Sequence, residues 1–181
     1  SATGQVQGGA INNQASSVAT FKSCRIEDNR ASTIAQRIFG GGILNLHSNL
    51  TLEDSTVSGN SVSTVGSNAA FAGGVSNWAD SFAWLRDVTV HGNVASSEAG
   101  NVFSGGVHNR GNMELLGVTI TANRAVSVNG TAAGAGFYHE GATTAFMEST
   151  LVDGNEARSD SAAKAQGQQI FNGGELIYAL P

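Results

Sequence analysis

The sequence contains one cysteine, Cys24, and one proline, Pro181, in 181 residues. A lone cysteine excludes an intrachain disulfide framework and leaves the redox compartment open. Charge is scarce too: Asp, Glu, Lys and Arg make up 13% of the chain, and the net charge of −5 comes from scattered acids without a run of one sign. With no basic stripe, a nucleic-acid partner is not expected. No apolar run is long enough to cross a bilayer and no stretch reads as a signal peptide, so membrane insertion is not expected either. The chain reads as a mature product or an excised segment. Low charge with 24 glycines would suggest disorder, but the 40% hydrophobic content falls at regular intervals, which argues for a folded core.

What the chain has in abundance is repetition. "GGAIN" begins at Gly8, "GGILN" at Gly41, "GGVSN" at Gly73, "GGVHN" at Gly105, with the weaker "AGFYH" at Ala135 and "QQIFN" at Gln168, a period of 30 to 33 residues. A second marker keeps time with the first: Asn29, Asn60, Asn93, Asn123 and Asn155, each ending a short tripeptide such as "SGN". Repeats of this length point to a solenoid.

The aligned columns specify which solenoid. Counting back from the marker asparagine, one column reads Phe21, Leu52, Leu85, Leu115, Met147 and another Ile26, Val57, Val90, Ile120, Val152, with Cys24, Ser55, Val88, Val118, Thr150 between them. After the Gly pair come Ala10, Ile43, Val75, Val107, Phe137 and Ile170. These are period-2 patterns in short runs, hence strands. The inward phase slips by one residue between Leu52 and Ser55, which predicts a corner near Glu53–Asp54. Because every coil runs the same way, strands stacked coil on coil must be parallel. The expected fold is therefore all-β: a single-stranded parallel β-helix of about five coils, one domain over residues 1–181, roughly 24 Å tall at a strand spacing of about 4.8 Å.

The same columns assign roles to polar residues. The Gly pair allows a close backbone approach that a Cβ would hinder. Asn60 and its equivalents are expected to adopt a left-handed turn and to bond their amides into one ladder. Asn12, Asn45, Asn77, Asn109 and Asn172 predict a second, interrupted by His139. Phe39, Phe71 and Phe103 recur two places before the Gly pair and predict a stacked ladder sealing the return loop against the core. Thr33, Thr64, Ser97, Ser127 and Ser159 form a hydroxyl column at the start of Ala-, Ser- and Gly-rich return segments, where a binding surface would vary.

At these residues the sequence resembles a known group. "GGGILNLHSNLTLEDSTVSGN" and "GGVHNRGNMELLGVTITAN" look like the β-helical repeats of bacterial surface and secreted proteins. They are similar to the GGA(I/L/V)xN and FxxN repeats of polymorphic outer-membrane autotransporters, and more generally to the pectin-lyase-like β-helix superfamily. The resemblance covers about residues 8 to 174 and implies right-handed coiling. It implies little about activity, because that superfamily holds adhesins, lyases, hydrolases, epimerases and tailspikes. The fifth repeat departs from the pattern, and no membrane barrel is recognisable.

β-Helix enzymes of that group carry their chemistry on the outer face of stacked strands. Here the outward positions of the Gly-pair strand read Leu44 and Leu46; Ser76 and Trp78; His108 and Arg110; Tyr138 and Glu140; then Phe171. The candidate ligand-binding residues are Trp78, His108, Arg110, Tyr138, His139 and Glu140, and His108 with Glu140 could form a general acid–base pair. Asp80, Asp87 and Glu114 lie in separate columns, which weakens a paired-carboxylate glycosidase site. No calcium-binding repeat appears, and His47, His91, His108 and His139 lack metal-ligand spacing and read as solitary surface residues, so neither metal nor cofactor is implied. An outward threonine column, Thr56, Thr89 and Thr119, resembles ice-binding solenoids but is broken by Arg25 and Leu151 at its ends. The sequons at Asn49 and Asn129 matter only in a eukaryotic secretory setting.

The expected function is thus a non-enzymatic extracellular or cell-surface module for adhesion, surface attachment or envelope structure, with a glycan or cell-surface ligand. A polysaccharide-active enzyme is the alternative and ice binding a third. The end coils expose strand edges, and Pro181 sits too late to shield Leu176, Ile177 and Tyr178. This predicts end-to-end self-association or continuation into further coils.

Overall fold

The computed structural model describes residues 5–34, 36–160 and 165–179. The expected stop at Pro181 and the middle of the last return segment lie outside the described residues. Short period-2 runs between tight corners can only be strands, and the described chain contains strands and no helix. They stack in parallel as a β-solenoid of about five turns.

One middle coil shows the plan. Ala70–Phe71 lies in the first sheet, Val75–Asn77 in the second, Phe82–Arg86 in the third, Thr89–His91 in the fourth and Val94–Ser97 in the fifth. A return segment then leads to Val102–Phe103, which pairs in parallel with Ala70–Phe71. The sheets hold six, six, six, five and five strands among the described residues. Register follows the repeat: Val75 pairs with Ile43 and Val107, Leu85 with Leu52 and Leu115, and Val90 with Val57 and Ile120.

Corners are made by single residues in the left-handed region. The corner predicted near Glu53–Asp54 falls at Asp54 (φ 48°), repeated at Asp87 (φ 52°) and Ser149 (φ 49°). At the next corner the positive φ belongs to the residue before the marker asparagine, namely Asp28, Gly59, Gly92, Ala122 and Gly154, and not to Asn60 or its equivalents. The asparagine is needed for its side chain, so its neighbour takes the turn.

The interior is divided into two apolar lobes. The larger holds Ile43, Leu52, Val57, Leu85, Val90, Leu115 and Phe137, from the second, third and fourth sheets. The smaller holds Ile38, Val62, Ala95, Val102 and Ala132, from the fifth and first. Between the lobes the coil is pinched. Each marker asparagine gives its Nδ2 to the Oδ1 of the next, at 2.9 Å from Asn29 to Asn60, 3.0 Å to Asn93, 2.9 Å to Asn123 and 3.0 Å to Asn155, and Gln169 Oε1 accepts from Asn155. The ladder lies directly against the second glycine of the Gly pair. A Cβ on Gly106 would stand 2.6 Å from the Gly136 carbonyl and 2.9 Å from Asn123 Nδ2. The glycines are required by this close approach across the waist.

The second ladder corrects the expected register at the first coil. Ile11 and Asn13 occupy the columns assigned to Ala10 and Asn12, since Ile11 pairs with Ile43 and Asn13 with Asn45. Asn13, Asn45, Asn77 and Asn109 are linked at 2.8 Å each. His139 does not interrupt this ladder but continues it, with Asn109 Nδ2 3.0 Å from its Nδ1. Its Nε2 faces the Thr143 and Glu175 carbonyls, which only accept, so the ring proton sits on Nε2 and Nδ1 takes the amide hydrogen. Asn172 lies beside His139 in register, but its Oδ1 accepts from the Gly174 amide.

The interior assignments set two expectations. Asn93→Ala removes four hydrogen bonds that tie Asn60, Val57 and Asn123 together in a buried waist, and should cost about 3 kcal/mol or more. Val90→Asp buries an unpaired carboxylate and should prevent folding. Urea titration of both variants checks this; a midpoint within error of the parent for either would contradict the interior placement.

Candidate functional site

In a two-residue strand one side chain faces in and the other out. Ile38, Ala70 and Val102 fill the smaller lobe, which sends Phe39, Phe71 and Phe103 outward. The phenylalanine column therefore does not seal the return loop against the core. Phe39 and Phe71 stack at 4.8 Å with an interplanar angle of 9°, and Phe71 and Phe103 at 5.2 Å.

The column meets a second one at the corner between the first and second sheets. There the outward register runs Leu44, Ser76, His108, Tyr138 and Phe171. His108 stacks on Tyr138 at 5.6 Å and 11°, and Tyr138 on Phe171 at 4.7 Å and 6°. Ser76 leaves a gap in this row. Trp78, two residues on, fills it, stacking on His108 at 5.0 Å and meeting Phe39 and Phe71 edge-on at 4.8 and 5.0 Å. Ser76 is fully buried although it lies on the outer side of its strand.

Of the six residues singled out from the sequence, five gather here. Arg110 sets its guanidinium 5.0 Å above the Trp78 ring, and Glu140 Oε1 lies 3.3 Å from His108 Nε2. His139 belongs to the opposite side of its strand, inside the asparagine ladder. His108 is not a surface residue either: its side chain is fully covered, with Nδ1 lacking a hydrogen-bond partner among the described residues.

Burial holds the His108 imidazole below its ordinary range and outweighs Glu140, which pulls the other way. The hydrogen bond from His108 keeps the Glu140 carboxyl below the usual carboxylate range, against partial burial. Both directions describe one state: a neutral histidine donating from Nε2 to an ionised glutamate. Burial pushes the Tyr138 phenol up to about 12, so it keeps its proton. His108 is enclosed by rings and already bonded through Nε2, which leaves Glu140, with a side chain 31% exposed, as the polar group facing outward.

Above this floor runs an open groove of about 390 Å³, lined by Phe71, Trp78, Phe103, Arg110 and Glu140, with Arg37, Asn68 and Asn101 from the return segments. Sequence reading missed the return-segment residues because nothing periodic marks them. The outward phenylalanines were recoverable from the alternation Ile38–Phe39. Elsewhere, Thr56, Thr89 and Thr119 do stand in register on the fourth sheet, between Arg25 and Leu151. No group of three or more His, Cys, Asp or Glu side chains able to hold a metal occurs among the described residues.

Compared with protein families, curated proteins and solved structures, the chain matched none of them.

The buried His108 has a pH consequence. Its folded pKa is depressed, so the unfolded chain takes up a proton near the ordinary value of 6.5 before the folded chain does. Stability should fall as pH drops below that value, and Glu140, depressed from 4.5, adds a further loss only below its own ordinary value. His108→Gln, which can still donate to Glu140, should flatten the decline in Tm between pH 7 and 5. Circular-dichroism melts of parent and variant at pH 7, 6 and 5 decide this; equal slopes would assign the pH dependence to other groups.

Proposed function

We propose that the chain is a non-enzymatic, extracellular or cell-surface β-helix module that attaches to glycans through the groove beside Trp78. The observation that carries this reading is the groove itself: an open channel floored by stacked aromatic rings and rimmed by Asn68, Asn101, Arg110 and Glu140. Aromatic faces suit the C–H faces of pyranose rings, while amides, a guanidinium and an ionised carboxylate suit their hydroxyls. The floor rings are packed against one another, Phe71, Phe103 and Tyr138 on strands and Trp78 directly after one, so little ordering cost is added on binding. The repeat pattern resembling autotransporter passengers and pectin-lyase-like proteins agrees with a surface location.

Glu140 is the sole carboxylate on the groove lining among the described residues, and this with the enclosure of His108 favours binding over acid–base turnover. The contact between these two is nevertheless the observation that would support a polysaccharide-active enzyme. On a glycan array, the parent should retain a subset of polysaccharides and Trp78→Ala should lose them by about tenfold or more while still melting cooperatively, at a lower Tm because the ring packs on Phe39, Phe71 and His108. Retention unchanged by Trp78→Ala would refute the groove as the binding site. Release of shortened products by the parent, abolished in Glu140→Gln, would establish the enzyme reading in its place.

A further inference from the structure

The chain segments that build the groove continue into a second hollow. Two residues beyond Trp78 stands Asp80, then Phe82; directly after Arg110 come Gly111 and Asn112. With Asn49 and Thr143, these residues line an open hollow of about 340 Å³ at the corner between the second and third sheets.

Two side chains of this hollow, Phe82 and Asp80, are presented outward. Phe82 is the outward first residue of its strand and leaves 37% of its surface exposed, beside the fully buried Ala83. Thr143 is part of the lining too, with its Oγ1 covered by the protein. Asp80, a corner residue at φ 54°, carries a side chain that is 86% exposed, with one carboxylate oxygen 3.4 Å from His47 Nδ1 and the other open to a ligand. The rim between hollow and groove is also fixed. A Cβ on Gly111 would collide with the Ser81 carbonyl and stand 2.8 Å from the Trp78 carbonyl, so the segment after Arg110 is packed tightly onto the segment after Trp78.

We infer that the hollow is a second subsite of the same glycan path, and that the ligand is an oligosaccharide long enough to stack on Trp78 in the groove and on Phe82 in the hollow. This rests on the glycan reading of the groove. Trp78 and Phe82 are four residues apart, at most about 14 Å of extended backbone, which is within the reach of a short oligosaccharide. The hollow supplies what a sugar ring takes: an exposed aromatic face, a carboxylate and two amides. Occupying both subsites with one chain makes the second contact intramolecular, so affinity should rise steeply with chain length.

The test uses isothermal titration of the full chain with dimers and hexamers of β1,4-linked glucose and of β1,4-linked N-acetylglucosamine. At least one hexamer should bind the parent ten-fold or more tighter than its dimer. Phe82→Ala should bring the hexamer down to dimer affinity and leave the dimer unchanged, with an unaltered melting temperature, while Trp78→Ala should abolish both. Dimer binding that depends on Trp78, with a hexamer no tighter or indifferent to Phe82→Ala, would overturn the second subsite and leave the groove standing. No binding of any of the four saccharides to the parent would overturn both.

Discussion

Everything in this solenoid depends on how its two walls are held together at the waist. A coil of about thirty residues encloses too wide a space for one row of aliphatic side chains to fill, and the chain responds by bringing opposite walls into contact. Asparagine amides from one wall lie against glycine backbone on the other. The amide needs the glycine's missing side chain for room, and the glycine needs the amide to fill the space it leaves. Because each amide also bonds to the one in the next coil, the waist is tied along the axis and across it. The apolar lobes on either side are then narrow enough to be filled by valine, leucine and alanine side chains.

That division places the outer aromatic cluster. Once the first sheet is turned so that Ile38, Ala70 and Val102 enter the smaller lobe, the alternating positions must face out. The corner beside the Gly pair brings them within ring-stacking distance of the second sheet. The aromatic floor is thus a by-product of the waist geometry, made continuous by one substitution of size: serine at position 76 where its neighbours are large, with Trp78 folded into the space.

The architecture was readable from the sequence because it rests on short-range periodicity repeated five times. The asparagine column, the strand columns and the corner near Asp54 all follow from alternation and alignment. Errors arose where one residue decides the register or the facing. The extra residue in the first coil moved the ladder from Asn12 to Asn13, and Phe39 in a strand of two residues was assigned to the wrong side. His139 looked like an interruption because an imidazole nitrogen standing in for an amide oxygen is invisible in an alignment by residue type. The floor of the candidate site was legible in part through Trp78, His108, Tyr138 and Glu140. Its upper rim, Asn68 and Asn101, belongs to return segments without a repeat, and only three-dimensional packing brings it over the rings.

The ladders also give the molecule a direction. In each asparagine-to-asparagine bond the donor has the lower residue number and the acceptor the higher, so these amide bonds point the same way and reinforce each other along the axis. The stack therefore has chemically distinct poles. A whole repeat could be duplicated or deleted in the middle without disturbing the sense of this chain of donors and acceptors, whereas a repeat joined in the opposite sense would set donor against donor. Length in such a protein is easily changed by recombination, and polarity is not.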